Sequence, residues 1–490
     1  MLRPIVLSLL AGLALQSQAI PARPEALTYK PLAFSVPRAG AFKTALGNGI
    51  PVYIADEPEG LPFVRIRVFL KGGAYLDPAG KEGLAALTGS QLRAGGTVKT
   101  PAATLDERLE YLAGQIETSL GDTSGSVALT ILEKDLAEGF ELFMQVLTQP
   151  AFAADRLDQA KRVYGQTLAS RNDQIGSIAE LEMPRILYQE GHFTSARMTA
   201  ASLAAITRED LAAFHARLLH PSNLVVSVSG RFQRKAMLER LEATLGRLKP
   251  AGAVRSPAVP APVFTAKPGF YVMDKAVPQS LVQWTLPGLR RTDPDWHAAV
   301  VMNRILASGD FTARLTKKIR SDEGLTYGIG GGFGEGTYWR GTWSGSFQTR
   351  NTTVAYALRL FLAEVERIKR DPVPADELAS IKDAAVEAFP VRWGKKTDVV
   401  NIFAGERLAG WPEDWWADYR ERIRAVTADD VQRVARKYLD PSRLVLLVVG
   451  QANEVLAGDA QNHPGLLKDV APLPVVRLPL RDPLTLKPLS

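Results

Sequence analysis

Two stretches decide the fold: ITREDLAAFHARLLHPSNLVVSVSG at residues 206–230 and VTADDVQRVARKYLDPSRLVLLVVG at residues 426–450. They align without a gap at an offset of 220, and nine of their 25 positions are identical. Self-similarity at a fixed offset indicates that one structural unit has been duplicated. The chain is therefore a tandem pair of related α/β units.

Each copy has the same order of local signals. A threonine is followed three residues later by an aspartate, at Thr207 and Asp210 and again at Thr427 and Asp430. This spacing is typical of a helix N-terminus, where the side chains satisfy the first free N–H groups. A proline then stops the helix, and an apolar strand ending in glycine follows. Each copy is thus predicted to contain a helix and a buried strand.

Proline-rich segments divide the chain. Residues 249–262 read KPAGAVRSPAVPAP, which predicts an extended linker because proline removes amide donors and stiffens the backbone. The predicted domains are an N-terminal domain at 35–247, a linker at 248–265 and a C-terminal domain at 266–462. The tail at 463–490 is also rich in proline and is expected to be irregular.

Composition excludes several classes of protein. The chain has 490 residues, 46% of them hydrophobic, and a mean hydropathy of −0.04, as expected for a folded protein of two or more domains. It has no cysteine, so disulfides, thiolate metal sites and a cysteine nucleophile are excluded. The net charge of +7 is mild and comes without a dense basic run, which argues against nucleic-acid binding.

The N-terminus has the pattern of an export signal. Arg3 precedes an apolar run at 5–15, and the small residues SQA follow at 17–19. The run is about half of the roughly 20 residues that a membrane-spanning helix needs. Residues 1–19 are therefore predicted to be a signal peptide, and the protein is expected to be exported to the periplasm without a transmembrane anchor.

Several local signals predict how the halves are built. Asn48-Gly49, between apolar runs at 42–46 and 50–54, indicates a two-residue hairpin, and residues 63–70 predict a third strand. The eight tryptophans all lie between Trp284 and Trp416, where aromatic core packing is the favoured interpretation. The glycine run at 330–332 indicates a flexible strand end or a close backbone approach.

The histidines form no metal-binding pattern. Zinc hydrolysis needs two imidazoles one helical turn apart and a carboxylate to take a proton from bound water. His215 and His220 are five residues apart, and Pro221 ends their helix, so structural roles are predicted for both. His192 and His463 are predicted to lie in loops, and His297 lies in a helical stretch with no neighbouring ligand. No nucleophile elbow and no P-loop is present.

Three motifs resemble the pitrilysin (insulinase) family of zinc peptidases, which includes the mitochondrial processing peptidase. They are LGNGI at 46–50, GAYLDP at 73–78 and GLA at 83–85. In active members the last motif is followed by His-x-x-Glu-His, with a further glutamate ligand downstream. Here Ala86, Gly89 and Ser90 stand at the three metal-motif positions, and the downstream position falls near Gln166 or Thr167. The resemblance thus implies that no zinc is bound by this chain.

The second half keeps another feature of that family. SGDFTARL at 308–315 and IRSDEGLTY at 319–327 resemble the segment that carries an arginine and a tyrosine seven residues apart, here Arg320 and Tyr327. From the residues alone, Arg320 suits a helix C-terminus and Tyr327 a packing position. The resemblance implies that the pair binds the substrate peptide and stabilises charge at the zinc site of the opposite half or subunit.

The resemblance also implies the architecture and the activity. The expected fold is α+β: two tandem homologous domains, each a mainly antiparallel sheet with helices on one face, arranged as a clamshell around a cavity. The first hypothesis is a non-catalytic subunit that binds peptides and supplies Arg320 and Tyr327 to a homologous catalytic chain carrying His-x-x-Glu-His and zinc.

Two alternatives stay open. One is a stand-alone peptide-binding or structural protein of the cell envelope, in which the strand predicted at 115–120 would pair with an extended peptide. The other is a hydrolase with unrelated chemistry, for which the sequence offers no nucleophile.

Overall fold

The computed structural model describes residue 23 and residues 33–249 and 258–489. The predicted signal peptide at 1–19 lies outside the described residues, as do residues 250–257 of the proline-rich linker. No helix among the described residues is both long and apolar enough to cross a bilayer.

The first half contains one six-stranded sheet, with the strand order β1-β2-β6-β3-β5-β4. All neighbouring pairs are antiparallel except β2 with β6. The strands are β1 (Lys43–Ala45), β2 (Pro51–Asp56), β3 (Phe63–Lys71), β4 (Gln115–Leu120), β5 (Ser124–Leu132) and β6 (Leu224–Gly230). The helices are α1 (Leu84–Ala94), α2 (Ala102–Tyr111), α3 (Leu136–Thr148), α4 (Ala154–Ala169), α5 (Ile175–Leu187), α6 (Ala200–Ala205), α7 (Arg208–Leu218) and α8 (Arg234–Glu242).

The second half repeats this plan with the order β12-β7-β11-β8-β10-β9. Its strands are β7 (Gly269–Asp274), β8 (Gln279–Pro287), β9 (Ile329–Phe333), β10 (Thr342–Arg350), β11 (Val445–Gly450) and β12 (Val475–Leu478). Its helices are α9 (Trp296–Ala307), α10 (Val354–Arg370), α11 (Ala375–Ala388), α12 (Lys396–Ala409), α13 (Tyr419–Ala425), α14 (Ala428–Tyr438) and α15 (Ala452–Ala457).

The duplicated stretch forms the same structure in both halves. Thr207 and Asp210 form a reciprocal cap at the start of α7, and Thr427 and Asp430 do so at the start of α14. After the proline, the chain enters β6 or β11, and every residue of these two strands is buried. The predicted helix and strand are confirmed in both copies.

The hairpin at residues 48–49 forms, but its loop is longer than predicted. The N–H of Leu46 donates to the carbonyl of Ile50 at 3.0 Å, which leaves a three-residue loop at 47–49. Gly49 has a φ of +87°, as the left-handed position of such loops requires. The Asn48 side chain also donates to the carbonyls of Leu245 and Leu248, so tertiary contacts hold the longer loop.

Side-chain alternation places the core on one face of the first sheet. In β3, Val64, Ile66, Val68 and Leu70 are fully buried, while the residues between them are half-buried. The buried set packs with helices α1, α2, α3, α7 and α8 in one cluster. Period-two alternation is what a sheet with one apolar face requires.

The other face of each sheet is partly covered by one helix from the opposite half. On the first sheet, Ser227 and Ser229 hydrogen-bond Asn401 at 2.6 Å and Thr397 at 2.7 Å, both on α12. On the second sheet, apolar residues of α5 pack with residues of β7, β8 and β11. Helices α5 and α12 occupy equivalent places in the duplicated units, so the halves exchange equivalent helices. The helix on the second face is an addition to the predicted arrangement.

The glycine run of β9 makes room for a tryptophan. A Cβ added to Gly331 would lie 2.6 Å from the Trp284 side chain, and one added to Gly345 on β10 would lie 2.2 Å from it. Trp284 is fully buried and packs with Trp343 and Phe361. The run therefore permits a close approach, and the interpretation as core residues is confirmed for Trp284 and Trp343.

The prediction of an irregular tail is wrong for one short segment. Residues Val475–Leu478 form β12, which pairs in parallel with β7 at the edge of the second sheet. Pro474 and Pro479 flank this strand but do not enter it. An unpaired sheet edge exposes a row of backbone groups, and the tail satisfies them. Beyond the strand, Arg481 reaches the first half and forms an ion pair with buried Glu182 at 2.6 Å.

Candidate functional site

The positions of the missing metal motif lie on α1. Ala86 lines a cavity of about 710 Å³, and the hydroxyl of Ser90 donates to the carbonyl of Leu87 within the same helix. The downstream positions Gln166 and Thr167 lie on α4 and are exposed. None of these side chains is an imidazole or a carboxylate, and among the described residues no group of three or more candidate ligands is close enough to hold a metal.

The backbone closes the space beside Gly89, the position that the family resemblance assigns to the catalytic glutamate. A Cβ added to Gly89 would lie 2.4 Å from the backbone nitrogen of Leu120 and 2.9 Å from the carbonyl carbon of Ser119. Helix α1 and strand β4 thus approach too closely at this point for any side chain. The residues present do not fit a catalytic zinc, both because the ligands are absent and because Gly89 has no space.

The histidines have separate structural surroundings. His215 is buried and hydrogen-bonds the carbonyl of Leu147 at 2.8 Å. His297 stacks on Trp415, and burial, with the nearby positive charge of Arg422, lowers the pKa of His297 to about 4. The remaining three lie elsewhere: His192 and His220 hydrogen-bond a threonine and a serine, and His463 stacks on Tyr356.

Arg320 is presented by an unusual helical segment. Residues Thr316–Asp322 form a π-helix, which the N–H of Leu325 closes by donating to the carbonyl of Ile319 at 3.0 Å. The sequence predicts an ordinary α-helix end here, whereas the structure has the wider turn of a π-helix. Single π-turns are rare in proteins overall, but those that occur are often found at functional sites. They change the direction of side chains on a helix.

Two exposed rings hold the guanidinium of Arg320. Its central carbon lies 4.4 Å from the ring centre of Phe311 and 5.1 Å from that of Tyr327. Phe311 is 69% exposed and Tyr327 is 91% exposed, so neither ring serves the core. Sequence reasoning did not identify Phe311; its signal is a large apolar residue directly after Ser308-Gly309-Asp310.

Arg320 has no carboxylate partner at ion-pair distance among the described residues, whereas Arg314 and Lys318 on either side of Lys317 are paired. Arg314 is bound by both oxygens of Glu377, at 2.9 and 2.6 Å. Lys318 pairs with Glu323 at 2.7 Å. The N–H donors of Arg320 are therefore oriented by cation–π contacts and available to an external acceptor.

The surroundings of Tyr327 form an open groove beside the second sheet. The groove has a volume of about 790 Å³ and is lined by Tyr327, Leu281 of β8, and Ser346 and Gln348 of β10. These sheet residues lie on the face that α5 covers only in part. The phenol of Tyr327 in this groove and the guanidinium of Arg320 against its ring can donate hydrogen bonds to an anion, but they supply no nucleophile.

The strand predicted at 115–120 forms β4, at the edge of the first sheet. It pairs with β5 on one side, and no other described strand pairs with its outer side. An extended peptide could add to such an edge through backbone hydrogen bonds.

Comparison with known proteins gives the same family in both halves. Residues 53–201 match the model described as insulinase, peptidase family M16, and residues 205–385 match the model described as the peptidase M16 inactive domain. The chain is 25% identical over 404 residues to the non-peptidase homolog YmxG of Helicobacter pylori, an alignment that covers 82% of this chain and 91% of that one.

Two solved structures have the same fold. A peptidase M16 inactive domain from Pseudomonas fluorescens superposes with a TM-score of 0.74 at 23% identity, over 84% of this chain and 98% of that chain. The periplasmic protease PqqL from Escherichia coli has a TM-score of 0.71 at 14% identity, over 89% of this chain and 49% of that chain. The predicted fold class is thereby confirmed. The chain belongs to peptidase family M16, the insulinase family, as an inactive-type member without the zinc-binding motif.

Proposed function

We propose that this chain is the non-catalytic subunit of a heterodimeric zinc peptidase. It binds the substrate peptide and supplies Arg320 and Tyr327 to the zinc site of a homologous partner that carries His-x-x-Glu-His. The observation that carries this proposal is the unpaired guanidinium of Arg320, held between exposed rings of Phe311 and Tyr327. Arg314, on the preceding helical turns, is instead bound by Glu377.

The proposal assigns one step of the reaction to this chain. Two fixed donors stabilise the oxygen that becomes negatively charged when the scissile carbonyl is attacked, and removing one such donor costs about 10²- to 10³-fold in rate in other enzymes. The proposal places zinc and the attacking water in the partner, because the space beside Gly89 is closed. In this proposal the protein acts in the periplasm, which the signal-like pattern at 1–19 and the fold likeness to a periplasmic protease support.

The test measures peptide cleavage by the chain alone, by a catalytic homologue that co-purifies with it from the cell envelope, and by their mixture. We expect activity in the mixture only. Arg320→Ala should lower kcat of the mixture by about 100-fold, and Tyr327→Phe should lower it in the same direction, without changing the zinc content. Lys317→Ala is the matched control, since Lys317 is an exposed cation on the same π-helix. Equal activity with and without this chain would refute the proposal.

A second candidate function is a stand-alone peptide-binding protein. The unpaired outer side of β4 favours it, because that edge needs no partner subunit to accept a peptide. Stable self-association without recruitment of a catalytic homologue, measured by native mass spectrometry of the purified envelope complex, would support this function over the first.

A further inference from the structure

A trench in the first half lies outside the Arg320 site. Two adjoining cavities of about 690 and 710 Å³ share the lining residues Glu82, Gly191, Ala196 and Arg197. One cavity reaches Ala86 on α1, and the other is bounded by residues of the C-terminal tail, including Leu486. Each cavity is within the size range of small-molecule and peptide sites.

Arginines without carboxylate partners line this trench. Arg197 is half-buried and donates only to backbone carbonyls, those of Thr194 at 2.9 Å and Ala196 at 2.8 Å. Arg185 is half-buried too, and its Nε is buried without a hydrogen-bond partner. Within the described part of the chain, neither guanidinium has a carboxylate at ion-pair distance.

Three other arginines of this protein that are buried or half-buried have carboxylate partners. Arg291 pairs with Glu406, Arg314 with Glu377 and Arg481 with Glu182. Burying a guanidinium without a counter-charge is unfavourable. A bound external anion would therefore stabilise the unpaired guanidinium groups of Arg185 and Arg197 at the cavity wall. Burial lowers the pKa of Arg197, and the charge of Arg185 contributes to this; Asp122 and Glu180 oppose the effect from beyond contact distance.

Carboxylates line the trench as well. Glu82 and Glu190 line the same cavity as Arg185 and Arg197, and neither forms an ion pair with them. A ligand with a carboxylate at one end and an ammonium at the other could pair with both kinds of charge. Leu486 in one cavity and Met198 in the other add apolar surface against which small side chains can pack.

We infer that Arg185 and Arg197 form a subsite for the C-terminal carboxylate of a short peptide held in this trench. The inference extends the proposed role in peptide binding, but it concerns a site complete in this chain and distant in sequence from Arg320. It assigns to the chain a capacity to retain short peptides, the chemical class that a peptidase releases.

The test is isothermal titration calorimetry of the full chain alone with trialanine and with trialanine amide. We expect the amide to bind at least about tenfold more weakly, as the loss of one charge-assisted hydrogen-bonded pair predicts. Arg185→Gln combined with Arg197→Gln should weaken trialanine binding by a similar factor and abolish the preference for the free acid. Arg217→Gln, at an exposed position on α7, is the matched control and should bind as the unmodified chain does.

Three outcomes would overturn the inference: no binding of trialanine, equal binding of acid and amide, or unchanged binding by the double variant with an unchanged unfolding midpoint. Displacement of trialanine by equimolar inorganic phosphate would also overturn it and would indicate a general anion site. This experiment uses the chain without a partner, so a negative result would not contradict the proposed function. The activity of the mixture tests that function separately.

Discussion

At the residue scale, Gly89 shows why the lost metal motif is not simply a set of substitutions. The backbone of β4 occupies the space beside Gly89, which the family resemblance assigns to the catalytic glutamate, since an added Cβ would lie 2.4 Å from the nitrogen of Leu120. Restoring the ligands at Ala86 and Ser90 therefore does not restore the site, because the base has no space.

We predict that Gly89→Ala destabilises the protein by about 1–3 kcal/mol, the usual cost of overpacking. The measurement is the free energy of unfolding in urea. Gly165→Ala on α4 is the matched control: nothing lies within 4 Å of its added Cβ, so helix propensity should stabilise that variant by about 1 kcal/mol. Equal effects of the two substitutions would contradict the close approach of α1 to β4.

His297 gives a prediction about pH. Its pKa is lowered to about 4 in the folded protein, against 6.5 for an ordinary histidine. The unfolded chain therefore binds the proton more readily, and stability should fall as pH decreases from 6.5 towards 4. Between pH 7 and pH 5 this histidine should account for a loss of about 2 kcal/mol.

His297→Phe keeps a ring for stacking on Trp415 and removes the titration. Urea unfolding at both pH values should show a loss about 2 kcal/mol smaller in the variant than in the unmodified protein. The same loss in both proteins would mean that folding does not change the protonation of this residue.

At the element scale, the tail joins the two halves. After β12 has completed the second sheet, Arg481 pairs with Glu182 on α5, whose side chain is 3% exposed. Asn172 of the first half also donates to the carbonyl of Arg481 at 2.7 Å. A segment rich in proline thus becomes a connection between halves because its prolines flank the paired residues.

We predict that Arg481→Ala destabilises the protein by about 3 kcal/mol, because it leaves the Glu182 carboxylate buried and unpaired. Burial already raises the pKa of Glu182, and the positive charge of Arg481 opposes that rise. A folded-state pKa above the unfolded value means that stability is present at low pH and lost as pH increases, so the defect should shrink on acidification.

The matched experiment adds Glu182→Gln to the Arg481→Ala variant. Removing the charge should recover part of the lost free energy at pH 7, measured by urea unfolding, and should abolish the improvement on acidification. A double variant as unstable as the single one at every pH would exclude the buried charge as the cause.

At the scale of the whole molecule, the exchange of α5 and α12 makes the halves interdependent. Each helix covers apolar or hydrogen-bonding surface on the sheet of the opposite half, as Ser227 and Asn401 illustrate. Neither half can therefore bury both faces of its sheet alone.

We predict that the halves unfold in one cooperative transition. Differential scanning calorimetry should give a ratio of calorimetric to van't Hoff enthalpy close to one, the criterion for two-state behaviour. Two resolved transitions, one for each half, would contradict the coupling through the exchanged helices.

The sequence by itself determined the features that depend on neighbouring residues. The duplication at an offset of 220, the caps at Thr207 and Thr427, and the strand at β4 follow from local spacing and periodicity. The absence of zinc ligands at Ala86 and Ser90 is also legible in the sequence, because imidazole and carboxylate groups cannot be replaced by a methyl or a hydroxyl group.

Only the tertiary structure decided the features made by distant residues. The helix exchange, the pairing of β12, the closure at Gly89 and the unpaired arginines of the trench each join segments tens to hundreds of residues apart. Likewise, Phe311 can be assigned to the site only because the π-helix places the guanidinium of Arg320 against its ring. Periodicity reports which face of an element is buried, but it carries no information about which distant element covers that face.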